Sequence, residues 1–147
     1  MKLICDISVT HKYGKQALDL LLAPHGVCWQ EMVVLMVLEE APEAPQSLLG
    51  ALLQTDKGNV TKLLTRMEAK GLLVRQPSKE DRRRMRNALS EPGARLVPAL
   101  RQALAAWEAV CYAGLSKEEQ RIFNKASQTI IHNTSRMVND AQKEEAS

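Results

Sequence analysis

The sequence predicts a mainly α-helical fold that carries one small β-hairpin. Three observations point there. Apolar residues recur at helical spacing through most of the 147 residues. Proline and glycine gather between those stretches, as in "APHG" and "APEAP". Near the middle, "LLVRQP" and "MRNAL" are two short strand candidates on either side of a strongly charged tip.

Taken in order, Leu18, Leu21 and Leu22 belong to a first helix that stops where Pro24 and Gly26 break the pattern. A second helix runs from about Trp29 to Glu40, and a third, short one from about Gln46 to Leu53. Asp56 is placed to cap a fourth helix; Lys70 lies in its last turn and Gly71 ends it, an order that suits the orphan N–H and C=O groups at the two ends. The hairpin follows. From Glu91 to about Tyr112 the spacing of Leu96, Leu100, Leu104, Trp107 and Cys111 is helical, with Pro98 as an expected bend. Ser116 and Glu119 form a capping-box pattern that opens the last helix, with Ile122, Phe123, Ala126 and Ile130 on one side.

Composition is that of an ordinary globular chain, 45% hydrophobic and 25% charged, and the length suits one domain spanning 1–147. Cys5, Cys28 and Cys111 are odd in number and share no C-x-x-C spacing, so neither a disulfide framework nor a closed zinc site is expected, and a reducing cytoplasm is the expected location. The longest apolar run, Met32 to Leu38, is too short to span a bilayer, so no membrane association is expected.

Net charge is only +3, but it is unevenly placed. Lys57 to Arg86 holds ten Lys and Arg against Glu68, Glu80 and Asp81, whereas the rest of the chain holds ten basic and fourteen acidic residues. A segment that faces a polyanion would be polarised in this way. Within it, "SKEDRRRMR" (Ser78 to Arg86) puts five cations and two acids in nine residues.

The third and fourth helices, joined by a few residues, form a helix-turn-helix candidate. On the fourth, Val60, Leu63, Leu64 and Met67 fall on one side and Gly58, Thr61, Lys62 and Thr65 on the other. That second face is either the solvated side of an amphipathic helix or a surface for a DNA major groove. In the latter case Asn59, Thr61 and Lys62 would reach base edges while Lys57 and Arg66 held phosphates. The charged tip between the strands is either a solvated turn or a wing over the adjacent minor groove, whose narrow, negative floor favours an inserted Arg. Asp81, two residues before Arg83, is placed to hold that guanidinium through a bidentate pair and aim it outward.

The stretch "NVTKLLTRMEAKGLLVRQPSKEDRRRMRNALSEPG" closely resembles the recognition helix and wing of the MarR family of bacterial winged helix-turn-helix regulators. The shared pattern is valine, threonine and a basic residue, a helix ending in "KGL", a wing containing D-x-R, and a closing leucine, hydroxyl residue, glutamate and glycine. The flanking helices follow the family's order as well. The resemblance implies a winged helix-turn-helix lobe over about 28–90 flanked by dimerisation helices over about 1–22 and 91–139. Its DNA surface would comprise Lys57, Gly58, Asn59, Thr61, Lys62, Thr65 and Arg66 on the helix and Lys79, Asp81, Arg82, Arg83 and Arg84 on the wing, with Arg83 entering the minor groove. Three features depart from the family. Gln54 stands where the turn usually has glycine, so a left-handed backbone there would cost about 1 kcal/mol and a rearranged turn is expected. "MRNAL" has few β-branched residues, so a short or mobile wing is expected. The first helix looks short of the N-terminal extension of many relatives.

Apolar stripes over Leu3 to Leu22 and Leu96 to Met137 exceed what a small winged lobe can cover, and a second copy would cover them. A two-fold homodimer would then offer two recognition helices to half-sites of a pseudo-palindromic double-stranded DNA operator. The resemblance also implies a small aromatic or phenolic effector, with Tyr13, His25, Trp29 and Trp107 as candidate lining residues, although both tryptophans also suit plain core packing. Cys28 occupies a helix N-cap position, where a thiol can become reactive, so a redox-sensing regulator stands as an alternative. No catalytic residue, metal or cofactor is expected: His11, His25 and His132 lack metal-binding spacing, and neither a G-x-S-x-G elbow nor a Gly-rich phosphate loop occurs. The expectation is therefore a sequence-specific, ligand-responsive repressor and not an enzyme. A winged-helix module that binds an acidic protein in place of DNA is the reading from another class.

Overall fold

Helix α1 spans Lys2–Leu22 and passes through a 3-10 turn, Ala23–His25, that Gly26 closes in the left-handed conformation (φ 68°). The computed structural model describes residues 1–42, 44–78 and 85–145, with the side chains of 85 and 145 left aside. The order continues with α2 (Trp29–Glu40), α3 (Gln46–Leu53), α4 (Lys57–Ala69), β1 (Leu73–Pro77), β2 (Met85–Leu89), α5 (Glu91–Cys111) and α6 (Lys117–Glu145). The chain divides into two compact units, Met1–Glu108 and Ala109–Ser147. Among the described residues no single helix is long and apolar enough to cross a membrane.

The core of the first unit is aliphatic. Leu22, Val34, Leu35, Leu38, Leu49, Val60, Leu64, Met67, Val97 and Leu100 have almost no exposed surface, so each large side chain contributes about 1.5–3 kcal/mol of burial. On α5 the buried stripe is Val97, Leu100 and Ala103, with Leu96, Leu104 and Trp107 packed beside it; Cys111, expected on that stripe, is exposed. The helix runs on through Pro98 to Cys111.

Two turns set the direction of α4. At its start the chain turns through Gln54, which takes the left-handed conformation (φ 50°, ψ 50°). The expected rearrangement is therefore absent, and Gln54 adopts the glycine-type conformation itself. Its Nε2 donates to the Ala51 carbonyl at 2.6 Å, a local bond that offsets part of the backbone cost. Gly50 lets the helices approach: a Cβ there would stand 3.1 Å from the Thr55 carbonyl oxygen and 3.6 Å from Val60. At its end α4 closes in a Schellman pattern, with Gly71 (φ 71°) donating to Glu68 and Leu72 donating to Met67.

The hairpin is antiparallel, with Leu73 opposite Leu89 and Pro77 opposite Met85. All five residues of β2 pair despite their weak β propensity, so the strand is short but complete. The segment "LSEPG" locks the base of the hairpin to the end of α4. Ser90 N–H donates to the Leu72 carbonyl at 3.1 Å, Ser90 Oγ donates to the Gly71 carbonyl at 2.6 Å, and the same Oγ accepts from Gly93 N–H at 3.0 Å. Gly93 is required by contact: a Cβ would lie 2.1 Å from the Leu72 carbonyl oxygen. In the second unit, Ser116 and Glu119 form the expected capping box, and Tyr112 Oη donates to Asn124 at 2.6 Å.

Candidate nucleic-acid interface

Asp56 starts the candidate surface. Its carboxylate accepts from Asn59 N–H at 2.9 Å and from Asn59 Nδ2 at 2.8 Å, so one side chain caps α4 and holds the amide of a nominated base reader. Val60, Leu63, Leu64 and Met67 are buried, while Lys57, Gly58, Asn59, Thr61, Lys62, Thr65 and Arg66 are all exposed. Thr61 Oγ1 bonds back to the Lys57 carbonyl at 2.9 Å and lies 3.5 Å from Gln46 Oε1, which brings the start of α3 onto the same surface. Around Thr65, Arg75 of β1 reaches across: its Nη2 donates to Thr65 Oγ1 at 3.4 Å and its Nε sits 3.4 Å from the Glu68 carboxylate. Gln46 and Arg75 were not foreseen. Lys79, Asp81, Arg82, Arg83 and Arg84 fall outside the described residues.

Arg66 differs from the expectation of a cation open to phosphate. Its Nε donates to Glu31 Oε1 at 3.0 Å, and Lys70 Nζ donates to Glu31 Oε2 at 2.8 Å. Glu31 is the buried charged residue among the described residues, with its side chain 1% exposed. Burial opposes its ionisation, yet the bonds from Lys70 and the Cys28 N–H, together with the two nearby positive charges, hold its carboxyl below the usual glutamate range. Glu31 escaped the sequence reading, although the signal was present: it stands three residues after the N-cap Cys28, as in a capping box, and accepts the Cys28 N–H at 3.1 Å. Cys28 Sγ lies 3.7 Å from Arg66 Nη2.

The four candidate effector residues separate. Trp29 and Trp107 line one cavity of about 330 Å³ with Thr10, His11, Gly14, Lys15 and Leu18. Trp107 Nε1 donates to the Gly14 carbonyl at 2.8 Å, which fixes the indole against α1. Tyr13 and His25 do not line that cavity: Tyr13 is 60% exposed, with Lys12 Nζ 5.4 Å from its ring centre, and His25 sits half-buried on the 3-10 turn. The family resemblance nominated all four, but the sequence could not say which way each points.

Comparison with known proteins agrees with this geometry. The MarR family model matches residues 28–85, which contain α2, α3, α4 and the first strand of the hairpin. Over that segment the winged lobe is similar to the MarR family. The chain is 31% identical over 80 residues to the HTH-type transcriptional regulator SarZ of Staphylococcus haemolyticus, covering 54% of each chain. It spans about half the length of the curated relatives it matches. Two solved structures share the fold: a mutant MarR from E. coli complexed with operator DNA (TM-score 0.80, 20% identity, 89% of this chain and 94% of that one), and CouR from Rhodococcus jostii bound to p-coumaroyl-CoA (TM-score 0.74, 24% identity, 85% and 86%). The mainly helical architecture with a two-stranded wing is thus that of MarR winged-helix proteins.

Proposed function

We propose that this MarR-type chain is a sequence-specific DNA-binding transcriptional regulator that acts as a homodimeric, ligand-responsive repressor on a pseudo-palindromic operator. The exposed face of α4 carries the proposal. Thr61, Lys62 and Thr65 stand outward over a fully packed inner face, with Lys57 at the helix start, where the backbone amides add partial positive charge. On this reading Thr61, Lys62 and Asn59 meet base edges, Lys57 meets phosphate, and the wing residues from Lys79 to Arg84 follow the minor groove, with Arg83 inserted. The operator-bound MarR structure supports DNA as the ligand of this surface. The cavity between Trp29 and Trp107 is the proposed effector site, and the CouR structure bound to p-coumaroyl-CoA supports a ligand that carries an aromatic group.

The homodimer accounts for apolar side chains left uncovered in one chain: Leu3 and Ile4 on α1, and Ile122, Phe123, Ile131 and Met137 on α6, are each more than half exposed. The test is a salt titration of DNA affinity, using a fragment selected from genomic DNA by the protein and a scrambled duplex of equal length. The expected result is preference for the selected fragment by a thousandfold or more, with log affinity falling linearly in log salt with a slope of several units. Equal affinity for both duplexes would reject sequence-specific regulation.

A further inference from the structure

Glu31 makes none of the contacts that a DNA surface needs, yet it is the most heavily engaged carboxylate near α4. It receives Arg66 Nε at 3.0 Å, Lys70 Nζ at 2.8 Å and the Cys28 N–H at 3.1 Å, and Lys70 Nζ also donates to the Gly26 carbonyl at 3.0 Å. One buried charge therefore ties the last two turns of α4 to the first turn of α2 and to the turn before it. A buried carboxylate whose partners withdrew would be left unpaired, so these contacts resist lengthening. Arg66 sits beside Thr65 and one turn beyond Lys62, at the edge of the outward face, and its side chain is 53% exposed.

We propose that Glu31 is a positioning residue for DNA recognition: by holding Arg66 and Lys70 it fixes the direction of α4 and withholds Arg66 from the phosphate backbone. The inference rests on the DNA-binding reading above. Phosphate contacts strengthen binding to every sequence alike, while base contacts discriminate. A cation added at the edge of the face raises affinity for any duplex, and a recognition helix less firmly aimed loses discrimination. Glu31 thus favours selectivity over bare affinity.

Glu31→Gln removes the charge, keeps the shape and retains an acceptor for the Cys28 N–H. Fluorescence anisotropy on the full chain, with the selected fragment and its scrambled counterpart across a potassium chloride series, is expected to show two changes. The preference for the selected fragment falls about tenfold, and the salt slope steepens by about one, the signature of one further phosphate contact. Adding Arg66→Ala to Glu31→Gln removes the extra slope. Parental slope and preference in Glu31→Gln, equal weakening on both duplexes at unchanged slope, or an extra slope that survives the double change would each overturn the proposal. If circular dichroism shows Glu31→Gln unfolded, Arg66→Ala alone decides: the parental slope with a reduced preference supports the withheld guanidinium, and a slope shallower by about one contradicts it. A parent protein that fails to discriminate between the duplexes rejects the DNA-binding reading itself, and this inference with it.

Discussion

In α4, Val60, Leu64 and Met67 are completely buried and the outward face is polar; in α6, Ile122, Phe123, Ile131 and Met137 keep between 52% and 77% of their surface exposed. Both helices are amphipathic, but α4 buries its apolar side while α6 has no buried residue among those described. The exposed faces are opposite in kind. The inner face of α4 is satisfied within its own lobe, so what it offers outward is hydrogen-bonding and charged groups suited to a polyanion. The apolar face of α6 is unsatisfied, and water is its least favourable neighbour, at a cost of about 25 cal/mol for each Å² left exposed. Amphipathicity alone therefore does not say which side of a helix is its interface. Burial in the single chain does.

The sharpest way to break this contrast is to make the α6 face polar. Phe123→Glu combined with Ile131→Glu is expected to weaken self-association by about a hundredfold or more, read by sedimentation equilibrium, while the thermal transition of the winged lobe in the dissociated chain stays in place. Unchanged self-association would remove α6 from the dimer interface.

Next in size is an attack on the lobe that leaves α6 alone. Gly93→Ala drives a methyl group into the Leu72 carbonyl at the joint between α4, the hairpin and α5. A loss of roughly 3 kcal/mol in urea denaturation is expected, because the obstacle is backbone and cannot rotate away. A loss below about 0.5 kcal/mol would mean that the "LSEPG" lock is not rigid.

The smallest effect runs the other way. Gln54→Gly relieves a left-handed backbone at the helix turn and is expected to stabilise the chain by about 0.5–1 kcal/mol, after loss of the exposed Nε2 bond to Ala51. A drop in melting temperature would show that the side-chain bond outweighs the backbone strain.

Local chemistry explains how much of this was legible beforehand. The limits of α2 and α3, the Asp56 cap, the Gly71 stop and the Ser116–Glu119 box are written in residues that act on their immediate neighbours, and the structure places them as expected. Contacts between distant segments were not legible. Nothing near Arg66 in sequence indicates that a glutamate thirty-five positions earlier binds it. Nothing near Gly93 indicates that the Leu72 carbonyl lies against it. The same limit explains Tyr13, which shares α1 with cavity residues, and His25, on the turn that follows that helix; neither lines the cavity.

The central claim is that two copies present α4 to successive major grooves with the wings alongside. Hydroxyl-radical footprinting on a selected genomic fragment tests it most directly. The account predicts two protected patches related by a dyad, with centres about one helical turn apart, and both should disappear in the Phe123→Glu/Ile131→Glu chain at concentrations where it is monomeric. A single unsymmetrical patch that survives loss of self-association would contradict it.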